Sequence, residues 1–210
     1  MILLIFAFSS GMAGVEVDYL IHHDIGTFNN EFEQNGFPHR FDNNSWGWSW
    51  NASVVQNNIL IGVQNLSGKQ NEEIGDLSLD LTFSSRIYEI GYLVDIHYLY
   101  ILFKVGGGYS NTHLKAFSLS DSSTFFGVLG DPGESSNLTA SSFSISGAVG
   151  VLIPLSDYIG LQITGGYIHG LSEPNWKFTN GQELYEDPAL DIKHTYIKAG
   201  FVITEFREQQ

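Results

Sequence analysis

The sequence predicts an all-β fold, an eight-stranded antiparallel up-and-down transmembrane β-barrel, and three observations carry that expectation. Apolar residues alternate with small or polar ones over eight segments of about ten residues, the mark of strands that cross a membrane. The connections between segments alternate between short and long. The chain carries 14% aromatic residues and 23 glycines but only 15% charged residues, against about 25% in typical globular proteins. Few charges and many aromatics suit a surface that does not face water.

The first segment, from about Ala13 to His22, sets Val15, Val17, Tyr19 and Ile21 against Glu16 and Asp18. The second, Ser45 to Val55, sets Trp46, Trp48, Trp50, Ala52 and Val54 against Gly47, Ser49, Asn51 and Ser53. Tryptophans in alternate positions make sense only where something buries that face. The third, from Ile59, sets Ile59, Ile61 and Val63 against Leu60, Gly62 and Gln64. The fourth, Asp76 to Leu93, carries Leu77, Leu79, Leu81 and Phe83 on one face, and then its apolar parity switches to Tyr88, Ile90 and Tyr92. A β-bulge near Ser85 accounts for such a switch. In the fifth, Leu99, Ile101, Phe103 and Val105 oppose Lys104, Gly106, Gly108 and Ser110; in the sixth, Phe143, Ile145, Val149 and Val151 oppose a run of serine, alanine and glycine. The seventh sets Leu161, Ile163 and Tyr167 against Gln162, Thr164 and Gly166, and the eighth sets Ile197, Ala199, Phe201 and Ile203 against Lys198, Gly200, Val202 and Thr204.

Gln56 to Asn58, Val94 to Tyr98 and Pro154 to Tyr158 read as tight turns, whereas 23–44, roughly 65–75, 118–136 and 172–192 read as long polar loops. Short turns on one side and long loops on the other are what outer-membrane barrels show. Aromatic residues gather near the strand ends: Tyr92, Tyr98, Tyr100 and Tyr158 at the turn side, Tyr19, Trp46, Trp48, Tyr109, Tyr167 and Tyr196 toward the loops. They form two interfacial belts, where amphipathic rings settle at headgroup depth.

One domain, 14–210, holds all of this, because no change in composition marks a second. Residues 1–13, apolar and then small, read either as a signal peptide or as the start of the first strand. A net charge of −14 with nine dispersed basic residues excludes nucleic acid as a partner. The absence of cysteine removes thiolate metal sites, thiol nucleophiles and disulfides together.

The polar faces place Glu16, Asp18, Asp80, Arg86, Glu89, Lys104 and Lys198 in the barrel interior as a charge network. An eight-stranded barrel is just wide enough for its own side chains. Mutually neutralising ion pairs that plug the lumen are therefore expected, rather than a wide pore, a catalytic centre or a cofactor site. Most of the acidic residues fall in the long loops, where Arg40, Lys69 and Lys177 oppose them. Glu183, Glu186, Asp187 and Asp191 offer oxygen ligands but lack the spacing and glycine of an EF-hand, so a solvated acidic loop is the expectation and no metal is implied. His22 and His23 are adjacent and point to opposite faces, which makes them a poor metal pair.

Two loops carry local structure signals. Phe28, Phe32 and Phe37 around Asn29 to Asn35 suggest a short amphipathic helix that ends at Gly36, with Pro38 just beyond. Between Trp176 and Tyr185, Asn180-Gly181 reads as a hairpin turn. Loop aromatics of this kind either fold over the barrel mouth as a lid or contact a partner; the lid is the expectation.

The loop segment Asn30-Glu31-Phe32-Glu33-Gln34-Asn35-Gly36-Phe37-Pro38 carries a resemblance, together with Trp46-Gly47-Trp48, Lys104 to Tyr109, Asp131-Pro132-Gly133, Trp176-Lys177 and a last strand that ends at Phe206. In these features the chain resembles the small eight-stranded outer-membrane barrels of the OmpA and OmpX type and a group of bacterial envelope barrels. The resemblance implies a bacterial outer-membrane location, with membrane lipid, lipopolysaccharide and the barrel assembly machinery as partners. It also implies a monomer that meets an extracellular partner through its acidic loops, with a structural or surface-interaction role and no enzymatic activity.

Two alternatives stand beside it. An outer-membrane lipid-modifying hydrolase requires His169, Ser172 and a carboxylate such as Glu173 to converge in a triad-like arrangement. A soluble lipocalin-like carrier of apolar ligands also has eight strands, but it requires an apolar lumen and a charged exterior, the opposite of the polarity read here.

Overall fold

The computed structural model describes residues 10–34, 41–74, 77–118, 136–172, 176–178 and 190–206. The elements in chain order are β1 (Ser10–His22), α1 (Ile25–Gln34), β2 (Asn44–Gln56), β3 (Ile59–Ile74), β4 (Leu77–Ile96), β5 (Leu99–Ser118), β6 (Ser136–Pro154), β7 (Ile159–Gly170), β8 (Trp176–Phe178) and β9 (Lys193–Thr204). Each long strand pairs antiparallel with its neighbours, β5 with β6 and β9 with β1, so eight strands close into a barrel and the three-residue β8 adds to the end of β6 beyond β7.

The tight turns are where the sequence puts them. Asn57 and Asn58 adopt φ of 50° and 67° between β2 and β3, and His97 adopts 56° between β4 and β5. These left-handed values match the twist of a two-residue hairpin and suit asparagine. Ser10 to Ala13 lie in β1, paired with Val55 to Ala52 of β2.

Two expectations are corrected here. Residues 65–74, expected in a loop over roughly 65–75, are strand, because β3 pairs with β4 without interruption as far as Ile74 and Leu77. No bulge occurs near Ser85: the register with both neighbours passes through it unbroken. The parity switch in β4 instead marks where the strand leaves the bilayer. On the turn side of Ser85 the outward residues Tyr88, Ile90 and Tyr92 are apolar and exposed, and beyond it the buried inward residues are Leu79, Leu81 and Phe83. Strand length agrees: β4 and β5 have 20 residues each, about twice what a tilted membrane strand needs.

The barrel therefore has two storeys with opposite polarity. In the lower one, Val15, Trp48, Ile61, Tyr88, Val105 and Phe201 are each at least 60% exposed on the outside, on strands all round the barrel. A soluble protein does not tolerate so large a contiguous apolar surface, and a bilayer buries it. Trp46, Tyr109 and Tyr167 rim this band toward the loops, with Tyr19 tilted against Trp46 at 5.0 Å, and Tyr92, Tyr98 and Tyr158 rim it toward the turns. Tyr100 and Tyr196 do not belong to these belts. Tyr196 is fully buried inside the barrel, and Tyr100 points inward to stack on Phe206 at 5.9 Å. No helix among the described residues is long and apolar enough to cross a membrane.

The upper storey is a compact apolar core of Ile25, Phe28, Phe41, Leu79, Leu81, Phe83, Leu114, Leu138, Trp176 and Leu190. The helix begins at Ile25 rather than Asn29, with the Asp24 carbonyl accepting from the Thr27 amide at 3.1 Å. Phe28 enters the core against Phe41 and Trp176. Asn29 clasps the chain ahead of β2: its Nδ2 donates to the Phe41 carbonyl at 2.8 Å and its Oδ1 accepts from the Phe41 amide at 2.9 Å. The helix is thus a fixed lid over the barrel mouth. Phe37, Pro38 and Asn180-Gly181 lie outside the described residues.

Candidate functional site

The barrel interior is stratified, and its layers decide what can pass. At the turn side Met12, Leu60, Leu93, Leu102, Leu152 and Val202 form an apolar floor. Below it a cavity of about 430 Å³ opens between the turns, lined by Met12, Leu93, Tyr100, Phe206, Asn57 and Asp95 among others. Above the floor is the charged layer. Glu16 and Lys198 are fully buried and 2.6 Å apart. Glu16 Oε2 also accepts from Asn51 Nδ2 at 2.8 Å and its Oε1 from Gln162 Nε2 at 2.9 Å, while Lys198 Nζ donates to Gln64 Oε1 at 3.0 Å. Lys104 Nζ donates to Glu89 Oε1 at 2.8 Å, and Ser49 Oγ to Asp18 Oδ1 at 2.6 Å. Asp18 Oδ2 has no hydrogen-bond partner among the described residues.

Five of the charges read from the sequence therefore meet in the lumen: Glu16, Asp18, Glu89, Lys104 and Lys198. Asp80 and Arg86 do not. Both sit at even positions of β4, whose odd positions Leu79 to Glu89 face inward, and with no bulge to turn them they face out. Asp80 pairs there with Lys69 at 2.8 Å.

Glycines on the inward face make room for the large polar side chains. A Cβ on Gly166 would lie 2.4 Å from both Cζ and Oη of Tyr196, and one on Gly200 would lie 2.1 Å from the Val15 carbonyl and 2.9 Å from Glu16 Cγ. Overpacking of this kind costs about 1–3 kcal/mol. Small residues that looked like a mere filler of one face are shaped sockets for this network.

Over the charged layer lie Leu20, Leu66, Ile87, Ala148 and Ile168 with the Tyr196 ring. Next comes a histidine pair that the sequence does not reveal, because its members are 172 residues apart. Tyr19 of the aromatic rim pairs with Ile197, and His22 and His194 pair three positions beyond that row, toward the loops. Their Nδ1 atoms are 2.9 Å apart, His22 Nε2 is 2.9 Å from Ser45 Oγ, and the His22 ring stacks on Phe83 at 3.9 Å. Burial, with a smaller push from His23, holds the His22 imidazole down at about 4. Burial and the charges of His22 and His23 push His194 the same way. A buried neutral pair sharing one proton bridge is the consistent state. The described residues contain no group of three or more histidine or acidic side chains placed to hold a metal.

The hydrolase arrangement does not assemble from the described residues. Ser172 Oγ lies 3.1 Å from Ser142 Oγ, and Ser142 Oγ donates to the Ser172 carbonyl at 3.0 Å. His169 faces outward, stacks on Tyr167 with centroids 6.2 Å apart, and has a buried Nδ1 without a hydrogen-bond partner among the described residues. Glu173 lies outside the described residues, as do Glu183, Glu186 and Asp187 of the acidic loop.

No family model matches the chain, and no curated protein does. Solved structures do. The attachment invasion locus protein Ail of Yersinia pestis is 13% identical, with a TM-score of 0.51 over 93% of this chain and 97% of that one. Ail in complex with the heparin analogue sucrose octasulfate matches equally, at 13% identity and a TM-score of 0.51. A major outer membrane protein from Thermus thermophilus is 9% identical, with a TM-score of 0.57 over 91% of this chain and 98% of that one. At such identities the likeness is one of fold: the chain has the architecture of small outer-membrane β-barrels.

Proposed function

We propose that this protein is a non-conducting, non-enzymatic outer-membrane barrel whose work is done at its surface, by the head that the upper storey forms beyond the bilayer. The observation that carries this reading is the stack of layers inside the barrel. An apolar floor, a charge-paired layer, a second apolar layer, the histidine pair and the lidded upper core follow one another, each built of buried side chains. An ion on that path would have to displace packed side chains, whose combined cohesion far exceeds thermal energy.

Planar-bilayer recording of the purified full chain tests it. We expect no stepwise conductance at any voltage the membrane withstands; reproducible steps that vanish on heat denaturation would overturn the reading. Surface work also needs a partner, and charge selects its class. Ail has been crystallised with a sulfated heparin analogue, but this chain carries a net charge of −14 and its loops are rich in carboxylates. The loop tips therefore suit a cationic or neutral surface rather than a polyanion.

A further inference from the structure

The cavity between the turns has no part in the surface role, and its lining is selective. Its floor is the apolar layer of Met12, Leu93 and Leu152, all buried, which separates it from the charged lumen above. Two aromatic rings form a wall. Tyr100 points inward from β5, registered with Asp95 of β4 on one side and Leu152 of β6 on the other. Phe206 follows β9, which is not a neighbour of β5 in the barrel, so its ring crosses the mouth to stack on Tyr100 at 5.9 Å with the planes 28° apart. Gly160 of β7 leaves the space for that crossing: a Cβ there would lie 2.8 Å from both Phe206 Cζ and Leu152 Cδ1. The Phe206 amide donates to the Asp157 carbonyl at 2.9 Å, which fixes the ring through its backbone.

The lip is polar and carries charge of one sign. Gln56, Asn57 and Asn58 bring side-chain amides, and Asp95 and Glu205 bring carboxylates. No lysine, arginine or histidine among the described residues lines the cavity. Asp95 has an interaction of its own within the protein, whereas Glu205 is exposed, so Glu205 is the carboxylate that meets a ligand. Each part of the lining then selects. Acidic side chains focused on a cleft repel phosphates, fatty acids and other anions. A wholly polar cation gains nothing from the floor, and a plain hydrocarbon dehydrates the lip without offering it a donor. A molecule with an apolar body and one cationic end satisfies both, because the body displaces water from the floor and the cation meets Glu205 and the ring faces. The volume of about 430 Å³ falls among pockets that take small molecules, roughly 300–1,000 Å³.

We propose that this turn-side cup binds a small amphipathic monocation, an aryl- or alkylamine or a quaternary ammonium, with its apolar body on the floor and its charge at the lip beside Glu205. The cup lies at the opposite end of the barrel from the head, so it is a second site and does not depend on what the head contacts.

The test titrates the full chain in lipid nanodiscs with phenethylamine, with its neutral analogue phenethyl alcohol and with the anion phenylacetate, and reads binding by ligand-observed saturation-transfer NMR against empty nanodiscs. The amine is expected to bind most tightly and the anion not at all. Glu205→Gln is expected to weaken the amine about threefold, and D95N/E205Q about tenfold, with the alcohol unchanged in both. Leu93→Trp, which fills the floor, is expected to abolish binding of amine and alcohol alike. If that variant does not fold, Ser10→Trp fills the cup from the start of β1 and is expected to do the same. An amine bound no better than the alcohol would overturn the proposal. So would an undiminished preference for it in folded D95N/E205Q, or binding that survives the tryptophan filling.

Discussion

Glu16 and Lys198 occupy the middle of a closed barrel with no exposed side-chain surface, and each holds further partners that exist only because the other neutralises it. Replacing Lys198 by Met leaves Glu16 charged, buried and short of its best donor, which is expected to cost about 3–5 kcal/mol. Pairing that change with Glu16→Gln should recover most of the loss, and urea unfolding of barrels refolded in lipid reads both. A double variant as unstable as the single one would show that the ion pair is not what Lys198 contributes. The histidine pair acts in another range. Above pH 6.5 neither folded nor unfolded His22 carries a proton. As pH falls through 6.5 the unfolded chain binds one and the folded chain does not, until the folded imidazole also titrates at about 4. Stability is therefore lost on acidification across that window, by about 3 kcal/mol from His22. Unfolding midpoints of wild type and His22→Phe should converge as pH drops from 7 to 4; curves that stay parallel would remove His22 from the account. Period-two alternation places a residue on one of two faces, so Glu16, Asp18, Glu89, Lys104 and Lys198 are legible as one set. The partner of His22 is not, since its pairing with His194 depends on closure of the last strand on the first.

At the scale of the element, β4 shows what alternation can and cannot tell. Its pattern reads as two half-strands of opposite parity, and the economical explanation for a single environment is a bulge. The strand is continuous and the environment changes instead: outside is lipid at Ile90 and water at Ser84. A bulge there would also turn Asp80 and Arg86 inward, and the polar outward residues of 65–74 resemble those of a loop once the band is left behind. Because the chain has no cysteine, single thiols report position without background. In vesicles with the loop side outward, Ser84→Cys should react with a membrane-impermeant maleimide, whereas Ile90→Cys should react only after the bilayer is dissolved. Equal labelling of the two would place the bilayer boundary elsewhere. Helix α1 was legible as an amphipathic segment from its phenylalanines, but not its start, because the signal of Asp24 at the N-cap precedes the phenylalanine pattern.

For the whole molecule, closure and strand number are visible in the sequence, because a membrane imposes one simple rule on every strand; the alternation of turns with longer connections is visible too, except between β3 and β4, where Ile74 pairs with Leu77 and the expected loop is strand. The upper storey is not, because there the rule reverses and each apolar face reads like its opposite. The soluble-carrier alternative, set aside for wrong polarity, has the right polarity for that storey alone: apolar within, polar without, as Leu79, Leu81 and Phe83 show against Thr82 and Ser84. Its core is filled by the helix and by Trp176, so it serves as a solid head. That is why the proposed surface role and the proposed lack of conductance belong together.

Strands β3 to β6 run from the turns to the head without a break, so head and anchor share one piece of hydrogen-bonded wall and no joint lies between them. Anything that grips the head pulls along the ladders, loading many backbone hydrogen bonds in shear at once instead of peeling them singly. Mechanically the protein is a rivet: the force that dislodges it is the force that extracts a whole barrel from lipid.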